Sequence, residues 1–295
     1  MSAAPPRTLA DVLAAPGEPA GGDADLDLGT LRARLDDAAR RATALAGWTE
    51  DEPLRLTKSR VTWLLRCPRR AVAVPDESAS DDLVAGLIVD AAAKLATLVP
   101  QRPPTAEAAV EFLAATGEER VADRPDAVRQ AAVLVERLAA AWPAVDPAWW
   151  PRVEEPARVR LAEGAVTVSG RVDLIFGGPP TPRTTIVVEV KAGRWYDGMR
   201  ADAHLYALLV ALRDRRPPAA VVTVVADGTT QVEPVRPAVL DHAAERVEEA
   251  LMVAAALAAG EVPAVHPGPH CPHCPARPGC PAGQAWRPRP ETVRT

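Results

Sequence analysis

The sequence predicts a mixed α/β fold, with a run of helices ahead of a short set of strands and a cysteine-bearing loop at the carboxyl end. Three observations point to it. Apolar residues recur at helical spacing in four segments between residues 57 and 141. From residue 158 the pattern changes to strand-like runs around the turn pairs Glu163-Gly164 and Asp227-Gly228. The hydrophobic share of 48% beside a charged share of 25% is that of a globular chain with a full core.

In chain order, residues 1–28 hold Ala, Pro, Gly and Asp with almost no large apolar side chain, and are expected to be disordered. A helix is expected over 30–45, with Leu31, Leu35, Ala38 and Ala39 on one face, closed by Gly47 and Pro53. Residues 1–54 are therefore an extension, and 55–295 the main domain. The next helix begins at Thr57 or Ser59, either a suitable N-cap, and runs through Val61, Leu64 and Leu65 to Cys67-Pro68. Helices over 81–98, 105–115 and 127–141 follow. The first opens on Asp81 and Asp82, which suit the positive helix end, and the last stops at Pro143. Strands over 158–161 and 165–176 form a hairpin, and another strand covers 184–191. A helix over 198–213 precedes a second hairpin, 219–226 with 230–235. Pro237 opens a long helix ending at Gly260, and a Pro-rich loop carries three of the four cysteines.

Composition narrows function. The formal net charge of −5 gives no whole-chain signal for nucleic acid. Of 34 basic residues only Lys58, Lys94 and Lys191 are lysine, and none sits in a glycine-rich phosphate loop, which excludes a Walker-type NTPase. No apolar run approaches the roughly 18 residues of a membrane span, and the amino terminus lacks a leader pattern, so a cytoplasmic protein without a membrane partner is expected. In a reducing compartment, four cysteines point toward metal rather than disulfides.

The strongest chemical signal is Ile186-Val187-Val188-Glu189-Val190-Lys191. Strand period two puts Glu189 and Lys191 on one face and Val188 and Val190 on the other. Asp173, in Gly170-Arg171-Val172-Asp173, lies late in the preceding strand. If the strands are neighbours, Asp173 and Glu189 share a hard divalent cation suited to phosphodiester hydrolysis. A bare strand-edge ion pair is the plainer alternative. The scarcity of lysine speaks against it, because arginine serves wherever a generic cation suffices.

This set resembles the PD-(D/E)XK nuclease superfamily, in its RecB-like exonuclease branch. The resemblance implies a restriction-endonuclease-like core, a mixed sheet flanked by helices. It implies Asp173, Glu189 and the Val190 carbonyl as ligands of Mg²⁺ or Mn²⁺, with Lys191 catalytic. Tyr206, on the following helix, is implied as a further catalytic residue. Two positions depart from the branch. Asp202 stands where a Gln is usual, one helical turn before Tyr206, and Asp90 stands where a metal-binding His is usual. Asp90 remains a candidate ligand.

Cys271-Pro-His-Cys274 is followed by Cys280, and Cys67 lies more than 200 positions upstream. By ligand count alone, four thiolates suit a 4Fe-4S cluster or zinc equally, and His270 and His273 keep a mixed zinc site open. The arrangement resembles the iron–sulfur clasp of AddB-like and CRISPR-associated nucleases, which implies a structural 4Fe-4S cluster. Lys58, Arg60, Trp63, Arg69 and Arg70 form an acid-free basic stretch beside Cys67 and are candidate DNA contacts, Trp63 by stacking on a base or else as a core residue. The expected function is a metal-dependent single-strand DNA exonuclease in repair, recombination or CRISPR adaptation, with a helicase or CRISPR-adaptation partner. A nuclease-degenerate binding module and a site-specific endonuclease are the alternatives.

Overall fold

A computed structural model of the protein describes residues 8–15, 27–73, 80–179 and 184–287. Its helices are α1 (Leu9–Ala14), α2 (Leu28–Ala46), α3 (Lys58–Arg66), α4 (Pro68–Ala71), α5 (Asp81–Leu98), α6 (Ala106–Ala115), α7 (Pro125–Ala141), α8 (Asp197–Asp214), α9 (Pro237–Ala258) and α10 (Pro281–Ala285). The strands are β1 (Leu54–Thr57), β2 (Arg152–Leu161), β3 (Val166–Phe176), β4 (Ile186–Lys191), β5 (Ala220–Val225) and β6 (Thr230–Pro234). They form one six-stranded sheet in the order β1-β3-β4-β5-β6, with β2 also on β3. This is the mixed α/β architecture expected from the sequence. The chain divides into two compact units.

The first unit lies within residues 1–33, 79–159 and 168–244. β3 and β4 are antiparallel, β4 and β5 are parallel and joined by α8, and β5 and β6 are antiparallel. Alternate sheet residues, among them Leu174, Phe176, Ile186, Val188, Val190, Val222 and Val224, enter a core with Ile88 and Val89 of α5 and Val135 and Leu138 of α7. Residues of opposite parity, such as Ile175, Val187, Val221 and Val225, are also buried, and α8 packs on β4 and β5. Burial on both faces is the rule for parallel strands. It explains why β4 reads as a nearly continuous apolar run, and it makes its one acid, Glu189, conspicuous.

Three sequence expectations change here. Within the segment expected to be disordered, residues 8–15 hold α1 with its two caps, while 1–7 and 16–26 lie outside the described residues. The Thr8 side chain accepts from the Asp11 amide and the Asp11 carboxylate from the Thr8 amide, a reciprocal cap; Leu9, Val12 and Leu13 join the core. β1 has no counterpart in the sequence reading because it is only four residues long, although its Leu54 and Leu56 are buried. β2 begins six residues earlier than expected, since Glu154, Glu155 and Pro156 hide the strand pattern. Thr57 is the cap of α3, accepting from the Arg60 amide at 3.2 Å.

The second unit lies within residues 34–78, 160–167 and 245–295. Arg34 bonds Glu248 at 2.5 Å, Asp36 accepts from the Ala162 amide at 2.8 Å, and the Leu54 amide donates to Ala165 at 2.9 Å. The loop after α9 contains turns at Cys271–His273 and Arg277–Gly279 before α10. Among the described residues no helix is long and apolar enough to cross a membrane.

Candidate active site

The register of β3 and β4 ends at Leu174↔Val188. One step further, Asp173 and Glu189 stand on neighbouring strands and on one face, the face opposite Leu174 and Val188. The Asp173 carboxylate accepts a hydrogen bond from the Val190 amide at 2.8 Å, which fixes it beside β4. Glu189 is fully buried and is ion-paired with Lys191. On α8, the Asp202 carboxylate lies 3.7 Å from the Lys191 ammonium. Two acids from strands, one from a helix and one ammonium therefore meet where β4 ends and the chain turns toward α8.

Tyr206 lies one turn beyond Asp202 on α8. It is 3% exposed, and its hydroxyl donates to the Arg171 carbonyl at 2.5 Å. Burial first, then the charges of Glu189 and Asp173, push its ionisation far above the ordinary range, so the phenol stays neutral. In this position it anchors α8 to β3. Gly170 makes the approach possible, because a β-carbon there would lie 2.5 Å from Tyr206 Cε1. Gly170→Ala is expected to destabilise the fold by about 1–3 kcal/mol through overpacking, measurable by thermal or denaturant unfolding.

Asp90, on α5, pairs with Lys94 one turn later, and Lys94 also pairs with Glu154. The second oxygen of Glu154 takes the Arg171 guanidinium at 2.6 Å. Burial raises the Asp90 carboxyl against the pull of Lys94, and the charge of Glu189 raises it further. Burial opposes the Lys94 charge, but Asp90 and Glu154 outweigh it and hold the ammonium above its ordinary value. Sequence reasoning missed Lys94, Glu154 and the Arg171 side chain. The available signals were the three-lysine count and the i,i+4 spacing of Asp90 and Lys94.

Among the described residues, no three His, Cys, Asp or Glu side chains converge closely enough to hold a metal ion as they stand. The donor chemistry nevertheless fits a hard cation, since Asp173, Glu189 and the Val190 carbonyl offer oxygen from adjacent strands.

A sequence model of the PD-(D/E)XK nuclease superfamily matches residues 55–281. The chain belongs to that superfamily. Membership implies phosphodiester hydrolysis as the reaction class, and the matched span contains Asp90, Asp173, Glu189, Lys191, Asp202 and all four cysteines. A search of curated proteins finds no match. Among solved structures, that of SSO0001 is 14% identical, covering 86% of this chain and 97% of that one at a TM-score of 0.38. A "Putative exonuclease" from Eubacterium rectale is 12% identical, covering 81% and 91% at a TM-score of 0.47.

In the second unit of this superfamily member the four cysteines are free thiols; Cys67, Cys271 and Cys280 are buried and Cys274 is partly buried. The Gly268 amide donates to Cys271 Sγ and the Gly283 amide to Cys280 Sγ, each at 3.3 Å. Gly283 lies between these two sulfurs: a β-carbon there would be 3.3 Å from Cys280 Sγ and 3.7 Å from Cys271 Sγ. Cys67 separates α3 from α4, and its neighbours bind the carboxyl-terminal loop. The Arg69 amide donates to Ala264 at 3.0 Å and the Arg70 guanidinium to His273 at 2.9 Å. Amide-to-sulfur bonds of this kind suit cysteines that hold a cluster or zinc. His270 is buried with no hydrogen-bond partner on either ring nitrogen, which keeps the mixed zinc alternative chemically sound.

Trp63 is half-buried among cations. The Arg70 guanidinium covers its ring at 3.9 Å, Arg66 lies at 5.5 Å, and the His270 ring is 5.6 Å away. One ring face is thus already occupied. Lys58 opens α3, and the Arg60 guanidinium bonds the Arg55 carbonyl at 3.4 Å.

Proposed function

We propose that this protein is a Mg²⁺- or Mn²⁺-dependent deoxyribonuclease that degrades single-stranded DNA from an end. The observation that carries the proposal is the grouping of Asp173, Glu189 and Lys191 at the end of β4, with Asp202 against the lysine. Asp173, Glu189 and the Val190 carbonyl would hold the cation, which when bound would supply Lewis acidity toward the scissile phosphate and acidify water. Lys191 holds its ammonium between Glu189 and Asp202, where it can orient the attacking water and attract a phosphate oxygen. Asp202 restrains that ammonium from the helix side. The Tyr206 strap fixes the helix that carries Asp202. Cys67, Cys271, Cys274 and Cys280 are proposed to hold a structural 4Fe-4S cluster, with zinc as the alternative. The adjoining Lys58, Arg60, Arg69 and Arg70, with Trp63, are proposed to contact the DNA backbone and bases.

The test uses end-labelled linear single strands beside covalently closed single-stranded circles, with Mg²⁺, Mn²⁺ or a chelator. Metal-dependent loss of the linear strand with survival of the circle is the expected result. Cutting of the circle would identify an endonuclease instead. Asp202, an acid where an amide is usual, favours one rival, a binding module without catalysis. That rival predicts retention of the labelled strand without cleavage in either metal.

A further inference from the structure

Trp195 lies in the turn between β4 and α8, shortly after Lys191, and the proposed reaction gives it no part. It lines a cavity of about 230 Å³ together with Arg200, Val221, Thr223, Gln231 and Glu233. We infer that this cavity is a nucleobase subsite that seats one base of the single strand beside the scissile phosphate; this rests on the proposed nuclease reading.

Sheet register places the cavity. Glu189 of β4 pairs with Thr223 of β5, and Thr223 with Gln231 of β6. Paired residues project from one face, so these three form a row across the sheet, on the side where α8 packs. With neighbouring strands about 4.8 Å apart, the Gln231 backbone stands roughly 10 Å from that of Glu189. The helix leads to the same place, because Ala203, also in the lining, follows Asp202 in the chain. The cavity therefore adjoins the acids and Lys191 through both the sheet and the helix.

The lining suits a neutral heterocycle. The volume lies below the roughly 300 Å³ at which pockets for drug-sized ligands begin, so a single ring system is the fitting size. Trp195 is half-buried and Val221 is buried, which gives an aromatic and an aliphatic surface against which a base can stack. The Gln231 amide offers a donor beside an acceptor, the pair that matches the edge of adenine. Glu233 is held by His204 at 2.8 Å and by Arg200 at 3.4 Å. Its carboxylate, near Glu189 and Asp202, disfavours a phosphate inside the cavity. Arg200 has half its side chain exposed, and a guanidinium has five donors, so its contact with Glu233 leaves it able to hold a backbone phosphate as well.

The experiment measures binding to the full-length protein by fluorescence anisotropy, with chelator present so that no strand is cut. The probes are a labelled strand of ten deoxyadenosines and a labelled strand of the same length made of abasic units. Trp195→Ala is expected to weaken binding of the deoxyadenosine strand about tenfold and of the abasic strand less than twofold. Trp195→Phe, which keeps a stacking ring, is expected to restore most of that affinity. Gln231→Leu, at an exposed position, is expected to cost about threefold on the deoxyadenosine strand alone. Equal losses on both strands in Trp195→Ala, or no loss on either, would overturn the inference. Should Trp195→Ala fail to fold, Gln231→Leu decides, and unchanged binding there would overturn it. Cleavage by the wild type in Mn²⁺ is followed separately. Normal cleavage without a base-selective loss would remove the subsite and spare the nuclease reading. An intact strand would remove that reading and the scissile phosphate with it, while a base-selective loss would still establish the pocket.

Discussion

Lys191→Ala is expected to slow metal-dependent cleavage of labelled single-stranded DNA by roughly 10³-fold, while single-strand binding stays within about twofold. The ammonium is paired with Glu189 and lies 3.7 Å from Asp202, in a group where Asp173 adds a third carboxylate. Removing it takes a shared cation from Glu189 and Asp202, so affinity for a divalent ion is expected to hold or rise. The deficit therefore falls on the chemical step, and a lower rate constant with unchanged metal affinity distinguishes it from a folding defect. Lys191→Arg is expected to restore less than a tenth of the rate, because a planar guanidinium cannot take the compact position of the ammonium beside fully buried Glu189. Cleavage unchanged in Lys191→Ala would remove this residue from the reaction.

The second large effect is expected at the cysteines. Protein purified without oxygen should contain about four iron atoms per chain. Cys271→Ser should lose most of that iron and melt roughly 10 °C lower. The size follows from the span of the clasp. Cys67 and Cys271 are more than 200 residues apart, and a cross-link closing a loop of that length contributes on the order of 5 kcal/mol in a chain-entropy account. The Arg69 and Arg70 bonds to the carboxyl-terminal loop would persist and hold the loss below the full amount. Stoichiometric zinc without iron would change the cofactor while keeping the clasp. A chain with neither metal, and with an unchanged melting temperature in Cys271→Ser, would end it.

The sequence made the chemistry of β4 legible because strand parity is a local property. Val188 and Val190 enter the core, and Glu189 with Lys191 takes the other side, as period two requires. The hairpin around Gly164 and the helix α8 between β4 and β5 were legible for the same reason, since turn residues and helix period lie close together in the chain; the parallel pairing of β4 and β5 was not. What escaped was set by distant partners. Nothing local to Thr8 says that three apolar residues of a Pro- and Gly-rich tail will join a core. Nor does Glu154 announce a left-handed turn toward Lys94, 60 residues away. Tyr206 shows the same limit: its place on the face of Asp202 followed from helical spacing, but its bond to Arg171 depends on how closely α8 approaches Gly170.

The most direct measurement of the central claim is a time course of end-labelled single-stranded DNA with the wild-type protein in Mn²⁺, run beside a chelated control and Lys191→Ala. Progressive shortening to small products in Mn²⁺ alone, absent with chelator and in the variant, is the predicted result. An intact strand in both Mg²⁺ and Mn²⁺, or cleavage that persists in the chelator, would contradict it.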